Sequence, residues 1–157
     1  MNIMGKPAIN PFLFFSGKIS GYMVWTMLAL NLLHIPTIHG IQIAALEIPS
    51  LILLAVGMGW ALLGLGHLGK STRFGLPVES TKFKTKGIYR LSRNPIYLGL
   101  FCITLSAILN NVNVITIILG MYSTIVYHFI ILGEERFLEQ RFGEEYKMYK
   151  SRVRRYL

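Results

Sequence analysis

Three long stretches of this sequence carry no Asp, Glu, Lys or Arg, and they constrain the fold more than any other feature. They cover residues 19–46, 48–69 and 94–133, with lengths of 28, 22 and 40 residues. A helix needs about 20 predominantly apolar residues to cross the hydrocarbon core of a membrane. Each of the first two stretches therefore holds one crossing, and the third holds a helical hairpin that turns at the polar residues 110–113.

These stretches predict an all-α integral membrane protein with about four transmembrane helices, at roughly 18–36, 46–67, 95–110 and 113–133. The alternative is a soluble helical bundle with an unusually apolar core. Such a bundle would need a polar side on each helix, and these stretches have almost no polar residues. The segment 10–17 is apolar but too short to cross, so we expect it to lie in the membrane interface.

The positive charge of the chain is concentrated on one side of this predicted topology. The sequence has 16 Lys and Arg against seven acidic residues, a formal net charge of +9. Residues 70–93 hold much of the excess, whereas the connections 34–45 and 110–113 have no Lys or Arg. Because cytoplasmic loops are enriched in Lys and Arg, we expect both termini and the loop 70–93 to face the cytoplasm, from the cell (inner) membrane. This placement favours contact with membrane lipids over a nucleic-acid partner.

A helix start is predicted where the loop 70–93 enters the third crossing. Pro95 suits the first turn of a helix, and Asn94 suits the capping position before it. A helix N-terminus presents unpaired backbone N–H groups and the positive end of the helix dipole, so it attracts a carboxylate or a phosphate. Arg90 and Arg93 are close to it in sequence and add positive charge.

The segment 134–157 follows the fourth crossing and has aromatic and apolar residues at helical spacing. This spacing predicts an amphipathic helix that lies on the membrane or over the loop 70–93. Glu134 and Glu135 begin the segment, at the same membrane face as the start of the third helix. Glutamates at the C-terminal end of a helix oppose the helix dipole, so at least one is expected to have another role. A carboxylate close to a helix N-terminus matches a zwitterion, such as a cofactor that carries an amino-acid group.

The sequence shows no sign of a metal site. Cys102 is the only cysteine, which excludes an internal disulfide and a Cys-x-x-Cys metal site. His34 and His39 lie on the far side of the predicted membrane, without a second type of ligand nearby. His67 is a candidate polar contact of the inner site, and His128 is expected to pair with a neighbouring helix.

Two ordered motifs in the second half of the chain resemble those of a superfamily of membrane enzymes. They read Gly87-x-Tyr89-x-x-x-Arg93-Asn94-Pro95-x-Tyr97-x-Gly99 and, after an apolar hairpin, Glu134-Glu135 with Phe142-Gly143-x-x-Tyr146-x-x-Tyr149. This combination is similar to the isoprenylcysteine carboxyl methyltransferase and phospholipid methyltransferase superfamily, especially its small prokaryotic-type members. The resemblance covers residues 70–157, and residues 1–69 match only as generic spanning helices. We therefore expect a single domain over 1–157, with the cofactor site in 70–157.

The resemblance implies methyl transfer from S-adenosylmethionine to a lipophilic small molecule or lipid at the cytoplasmic face, with a carboxylate, amine or thiol as acceptor. It places the cofactor between the segment 81–97 and the glutamate at the end of the last helix, with Glu134 on its ammonium group. The cofactor-contacting positions that it implies are Thr81, Lys82, Phe83, Lys84, Tyr89, Asn94, Pro95, Ile96, Tyr97, Glu134 and Glu135. The catalytic positions that it implies are Arg93, Asn94 and Tyr97.

The sequence departs from the superfamily pattern at two positions. Asn94 replaces the commoner His, which removes an imidazole base, and Ile130 stands where the isoprenylcysteine enzymes have an Arg. These departures disfavour carboxyl methylation of a prenylated cysteine and leave methyl transfer intact. One alternative is a membrane reductase of the sterol or steroid type, whose NADPH phosphate would suit the basic residues 82–93. The other is a non-catalytic membrane scaffold, which the chemically particular inner segments disfavour.

Overall fold

The structure, a computed structural model, describes residues 8–36, 38–68 and 85–157 of the chain. These residues form four helices, namely α1 (Pro11–Leu32), α2 (Ala44–Leu68), α3 (Pro95–Asn110) and α4 (Val114–Arg152). Within these ranges there is no β-strand, only a single bridge between Ile41 and Val112. The predicted all-α membrane fold is confirmed. Helices α1, α2 and α4 are long and apolar enough to cross a membrane, whereas α3 has 16 residues.

Helix α1 starts at Pro11, seven residues before the predicted position 18, so the predicted start is wrong and residues 11–17 belong to this helix. The Asn10 side chain accepts a hydrogen bond from the Phe12 N–H at 2.9 Å, and Pro11 occupies the first helical position. Both residues are strong helix-start signals. The helix also ends earlier than predicted, because His34 adopts a left-handed backbone with φ of 57°.

Both ends of α3 and the start of α4 agree with the predicted bounds to within one residue, whereas α4 continues well beyond the predicted end at 133. The side chain of Asn113 accepts a hydrogen bond from the Thr116 N–H at 2.8 Å and so caps the start of α4. Helix α4 then continues through the glutamates 134 and 135 as far as Gly143, where φ of 52° and ψ of −124° interrupt the helix. The last helical turns, up to Arg152, therefore form a separate short arm, which we call the C-terminal arm (residues 144–152).

Helix α2 packs on α3, and α1, α3 and α4 all pack on one another. Glycines allow close contact between α2 and α3, since a Cβ on Gly57 or Gly99 would meet the carbonyl oxygen of the other residue. Between α1 and α4, Phe14 packs with Val126, Tyr127 and Ile130 in a buried cluster. This packing brings residues 133 and 134 of α4 between the residues before α1 and the start of α3.

Candidate functional site

The segment before α3 starts with a tight turn against α2. Gly87 has a φ of +64° and opens a 3-10 turn, Gly87–Arg90. A Cβ at Gly87 would overlap the imidazole of His67, so both the backbone angle and the contact require glycine. Buried Tyr89 follows, with its hydroxyl 3.4 Å from the Gly64 carbonyl oxygen of α2. This turn fixes the path of the chain into the start of α3.

We expect Gly87→Ala to destabilise the fold by about 1–2 kcal/mol from the left-handed backbone, and further through the contact with His67. Gly143→Ala is a matched control, since Gly143 also has a positive φ but a Cβ placed there would have no neighbouring atom within 4 Å. Unfolding in mixed detergent micelles should therefore show a larger decrease in the free energy of unfolding for Gly87→Ala than for Gly143→Ala. The expected difference is about 1–3 kcal/mol, the range of overpacking effects. Equal decreases in the free energy of unfolding for the two variants would show that the contact with His67 does not affect stability.

Asn94 occupies the capping position of α3, but its side chain makes no capping hydrogen bond. Its amide Nδ2 instead donates to the Glu135 carboxylate at 3.2 Å and to the Arg155 carbonyl oxygen at 3.3 Å. The Ser92 hydroxyl oxygen accepts from the Asn94 N–H at 3.1 Å. Asn94 is therefore at the predicted capping position, but the expected capping by its side chain is wrong, because the side chain donates to a buried carboxylate and does not accept from the first turn of α3.

Glu135 is the centre of a buried ion-pair network that joins α3, α4 and the end of the described chain. Its Oε1 accepts from Nε and Nη2 of Arg93 at 3.2 and 3.0 Å, and its Oε2 accepts from Nε and Nη2 of Arg155 at 3.1 and 2.9 Å. Only 6% of the Glu135 side chain and 8% of the Arg93 side chain are exposed. Both oxygens of this carboxylate are thus occupied by protein donors.

The remaining donors of Arg93 hold the end of the C-terminal arm. Its Nη1 donates to the carbonyl oxygens of Lys150 and Val153, at 3.1 and 2.8 Å. A cation at the carbonyl end of a helix is stabilised by the helix dipole. Burial alone would raise the pKa of the Glu135 carboxyl, but the hydrogen bonds from Arg155 and Arg93 outweigh this effect and hold its pKa below the ordinary value. Glu135 is therefore ionised at neutral pH.

Glu134 has a different environment from its neighbour. The hydroxyl of Tyr97 donates to its Oε1 at 2.8 Å, and no other hydrogen bond to Glu134 occurs among the described residues. The apolar part of α4 ends at residue 133, so this carboxylate lies just outside the membrane-spanning segment. Burial raises the pKa of Glu134 to about 7, and the Tyr97 hydrogen bond and the charge of Lys18 only partly oppose this. The structure thus brings together the start of α3 and a carboxylate whose Oε2 accepts no hydrogen bond from the described residues.

The other predicted site residues are placed as follows. Pro95 is buried, and Ile96 packs against Gly64 of α2. Tyr89 also accepts, through its carbonyl oxygen, a 2.6 Å hydrogen bond from the Tyr149 hydroxyl of the C-terminal arm. The arm therefore contacts Tyr89, in the described part of the loop 70–93, which agrees with one of the two predicted positions. Thr81, Lys82, Phe83 and Lys84 lie outside the described residues.

The described part of the chain contains no group of three or more His, Cys, Asp or Glu that could hold a metal ion. Its buried charges are instead arranged in two adjacent parts. One part is the Glu135 network, in which protein donors occupy both carboxylate oxygens, and the other is the Tyr97–Glu134 pair, in which Oε2 has no donor among the described residues. The first part can only hold the fold together, whereas the second can bind a cationic group.

The family model of the phospholipid methyltransferases matches residues 46–145 of the chain. This range covers more than half of the chain and includes the first motif of the resemblance and the second as far as Gly143. The chain belongs to the phospholipid methyltransferase family. The protein is therefore an integral membrane protein of a methyltransferase family, as the sequence predicts, and nothing in the comparisons favours a reductase. No curated protein and no solved structure matches the chain.

Three residues near this site were not predicted from the sequence. Arg155 pairs with Glu135, and Lys18 of α1 adds positive charge near Glu134. Tyr156 hydrogen-bonds to Nδ1 of His128 at 2.6 Å, so the partner of His128 is not in a neighbouring helix as expected. All three lie outside the residues that the family model matches. No local signal in the sequence marks Arg155 and Tyr156, because they reach α4 only after the backbone turns at Gly143.

Proposed function

We propose that this protein transfers the methyl group of S-adenosylmethionine to a lipid or lipophilic acceptor at the cytoplasmic face of the membrane. The observation that carries the proposal is the half-buried Glu134 beside the start of α3, inside the range that matches a methyltransferase family. Its Oε2 has no hydrogen-bond partner among the described residues, although the carboxylate is partly removed from water. A carboxylate in that state favours a cationic partner.

The residues present fit the amino-acid part of S-adenosylmethionine. Glu134 can accept the ammonium group through Oε2, while Tyr97 holds Oε1 in place. The first backbone N–H groups of α3 have no helical acceptors, so they suit the carboxylate of the same amino-acid group. Glu135 contributes no open acceptor, since five donors already occupy its two oxygens. We therefore assign cofactor binding to Glu134 and a supporting role to Glu135.

When bound, S-adenosylmethionine supplies a methyl carbon that is activated by a positively charged sulfur. The protein then needs mainly to hold the acceptor in line and to exclude water, and proximity alone can contribute about 7–11 kcal/mol. Arg93 and Asn94 serve this purpose by fixing the start of α3 to α4 through Glu135. A lipid acceptor would enter sideways between the apolar helices, because their outer surfaces are exposed aliphatic side chains.

The cytoplasmic face is supported by the charge distribution. The inner loop 70–93 and the segment 134–157 carry most of the Lys and Arg residues, and Glu134 lies at the boundary of the latter. We therefore expect transfer only when S-adenosylmethionine has access to that side.

The test uses membrane vesicles that contain the full-length protein and S-adenosylmethionine with a labelled methyl group. Inside-out vesicles should incorporate label into the lipid extract, while sealed right-side-out vesicles should not, because the charged cofactor does not cross the bilayer. Label in neither preparation, with binding of NADPH instead, would contradict methyl transfer and favour the reductase. Label only in right-side-out vesicles would overturn the assigned face.

The raised pKa of Glu134 predicts a pH dependence of cofactor binding. Because its pKa is about 7 in the free protein, the carboxyl is increasingly protonated as the pH falls below 7 and must lose that proton to bind an ammonium group. The dissociation constant of S-adenosylmethionine should therefore rise towards about tenfold per pH unit below 7. Calorimetry between about pH 5.5 and about pH 7.5 measures this effect. Over that interval the dissociation constant should change by roughly one and a half decades, by the same relation. A flat profile over that interval would mean that Glu134 does not receive the ammonium group.

A further inference from the structure

The residues that follow the C-terminal arm fold back along the start of α3. The Arg93 N–H donates to the Arg154 carbonyl oxygen at 3.0 Å, and the Ser92 hydroxyl donates to the Arg155 carbonyl oxygen at 3.1 Å. The Asn94 amide reaches the same Arg155 carbonyl at 3.3 Å. The segment 153–156, which we call the strap, is thus hydrogen-bonded to each of the three residues that precede Pro95.

The side chains of the strap continue these contacts to both helices of the hairpin. Arg155 donates two hydrogen bonds to the Glu135 carboxylate of α4. The Tyr156 hydroxyl is 2.6 Å from Nδ1 of His128, also on α4, and its ring packs edge-on against Phe101 of α3, with 5.7 Å between the centroids. The strap therefore contacts α4 at Glu135 and His128 while it contacts α3 at Phe101 and at the loop before it.

This arrangement matters for the site because its two halves come from different helices. Tyr97 is on α3, one turn after the loop that the strap holds, and Glu134 precedes the strap's main partner, Glu135, on α4. The 2.8 Å hydrogen bond between Tyr97 and Glu134 depends on the relative position of the two helix ends. Displacements well below about 1 Å are enough to impair a binding constellation.

We propose that Arg155 and Tyr156 are positioning residues of the cofactor site, which act through Glu135 and His128 and do not touch the cofactor. The inference rests on the proposed function, since it assigns the strap to the site that binds S-adenosylmethionine. Both residues lie beyond residue 145, where the match to the family model ends.

The test compares Arg155→Gln with Arg154→Gln in the purified full-length protein in detergent. The two variants lose the same charge at adjacent positions, but the Arg154 side chain is exposed and Arg155 pairs with Glu135. By calorimetry, we expect Arg155→Gln to raise the dissociation constant of S-adenosylmethionine about tenfold or more. Arg154→Gln should leave it within about twofold, as surface substitutions do. Arg155→Lys should restore part of the affinity, because a Lys can replace one of the two hydrogen bonds to Glu135.

Each affinity is measured well below the melting temperature of the variant, so that a purely structural role would lower the melting temperature and leave the affinity unchanged. An Arg155→Gln protein that binds as tightly as the wild type overturns the inference and leaves the proposed function standing. A wild-type protein that binds no S-adenosylmethionine overturns both. If Arg155→Gln does not fold, Tyr156→Phe decides the question, since it removes only the hydroxyl that bonds to His128. A weaker affinity of Tyr156→Phe supports the strap, and an unchanged affinity contradicts it.

Discussion

Glu135→Gln should lower the free energy of unfolding by about 3–5 kcal/mol, the range measured when one partner of a buried ion pair is removed. The reason is the environment of Arg93, whose side chain is 8% exposed and whose charge is balanced by Glu135. Glutamine keeps the shape of the side chain but removes the negative charge, so the guanidinium of Arg93 would stay buried without a counter-ion. Arg155 would lose its partner as well.

Unfolding in mixed detergent micelles measures this effect, with Glu139→Gln as a matched control. Glu139 pairs with Lys150 at 3.0 Å, but the two side chains are 34% and 42% exposed. A surface pair of this kind contributes about 0–1 kcal/mol, so the control should remain close to the wild type. Similar losses for the two variants would mean that burial of the Glu135 network contributes nothing.

The same variant should also differ from the wild type in acid. Because the pKa of Glu135 is lower in the folded protein than its ordinary value of 4.5, its ionised form stabilises the fold above that pH. This contribution is lost as the pH falls through the folded pKa. The wild type should therefore lose stability below about pH 4.5, and Glu135→Gln should lack that part of the loss. Parallel acid profiles would show that another group is responsible.

The sequence predicted the hairpin best because its signals are local. The polar residues 110–113 interrupt a charge-free stretch, and the Asn113 side chain caps α4 as such residues do. The start of α1 was missed for a physical reason. The predicted start was placed at Lys18 because the charge-free stretch begins after it. A helix can begin before such a stretch, and Asn10 and Pro11 are the local signal for the start of this one.

The candidate site was only partly accessible from the sequence. The motif residues Tyr97 and Glu134 were expected at the same membrane face, and the structure joins them by a hydrogen bond. The partner of Glu135 could not be found in this way, since Arg155 reaches it only after the backbone turns at Gly143 with a φ of 52°. A change of direction at one glycine determines which side chains meet, and the spacing of residues along the chain does not encode it.

Glu134→Gln should weaken the binding of S-adenosylmethionine by about 2–5 kcal/mol, the effect of removing one partner from a buried, hydrogen-bonded charge pair. The glutamine carbonyl can still accept the hydrogen bond from Tyr97, so the substitution removes the charge and preserves the contact between α3 and α4. The fold should therefore survive, in contrast to Glu135→Gln. In addition, the affinity of the variant for S-adenosylmethionine should not depend on pH in the way that the Glu134 carboxyl causes in the wild type.

A second ligand separates loss of the charge from general damage to the site. Methylthioadenosine keeps the nucleoside and the methylated sulfur of S-adenosylmethionine but lacks the amino-acid group, so its affinity should be the same for the wild type and for Glu134→Gln. Tyr97→Phe should have a smaller effect on S-adenosylmethionine, about 1.5–3 kcal/mol, because it removes one hydrogen bond to a charged group. If instead Glu134→Gln weakens both ligands equally, the carboxylate supports the pocket as a whole. Unchanged affinity for both ligands would place the ammonium group elsewhere, since a half-buried carboxylate in contact with a cation cannot be neutralised without a loss of binding.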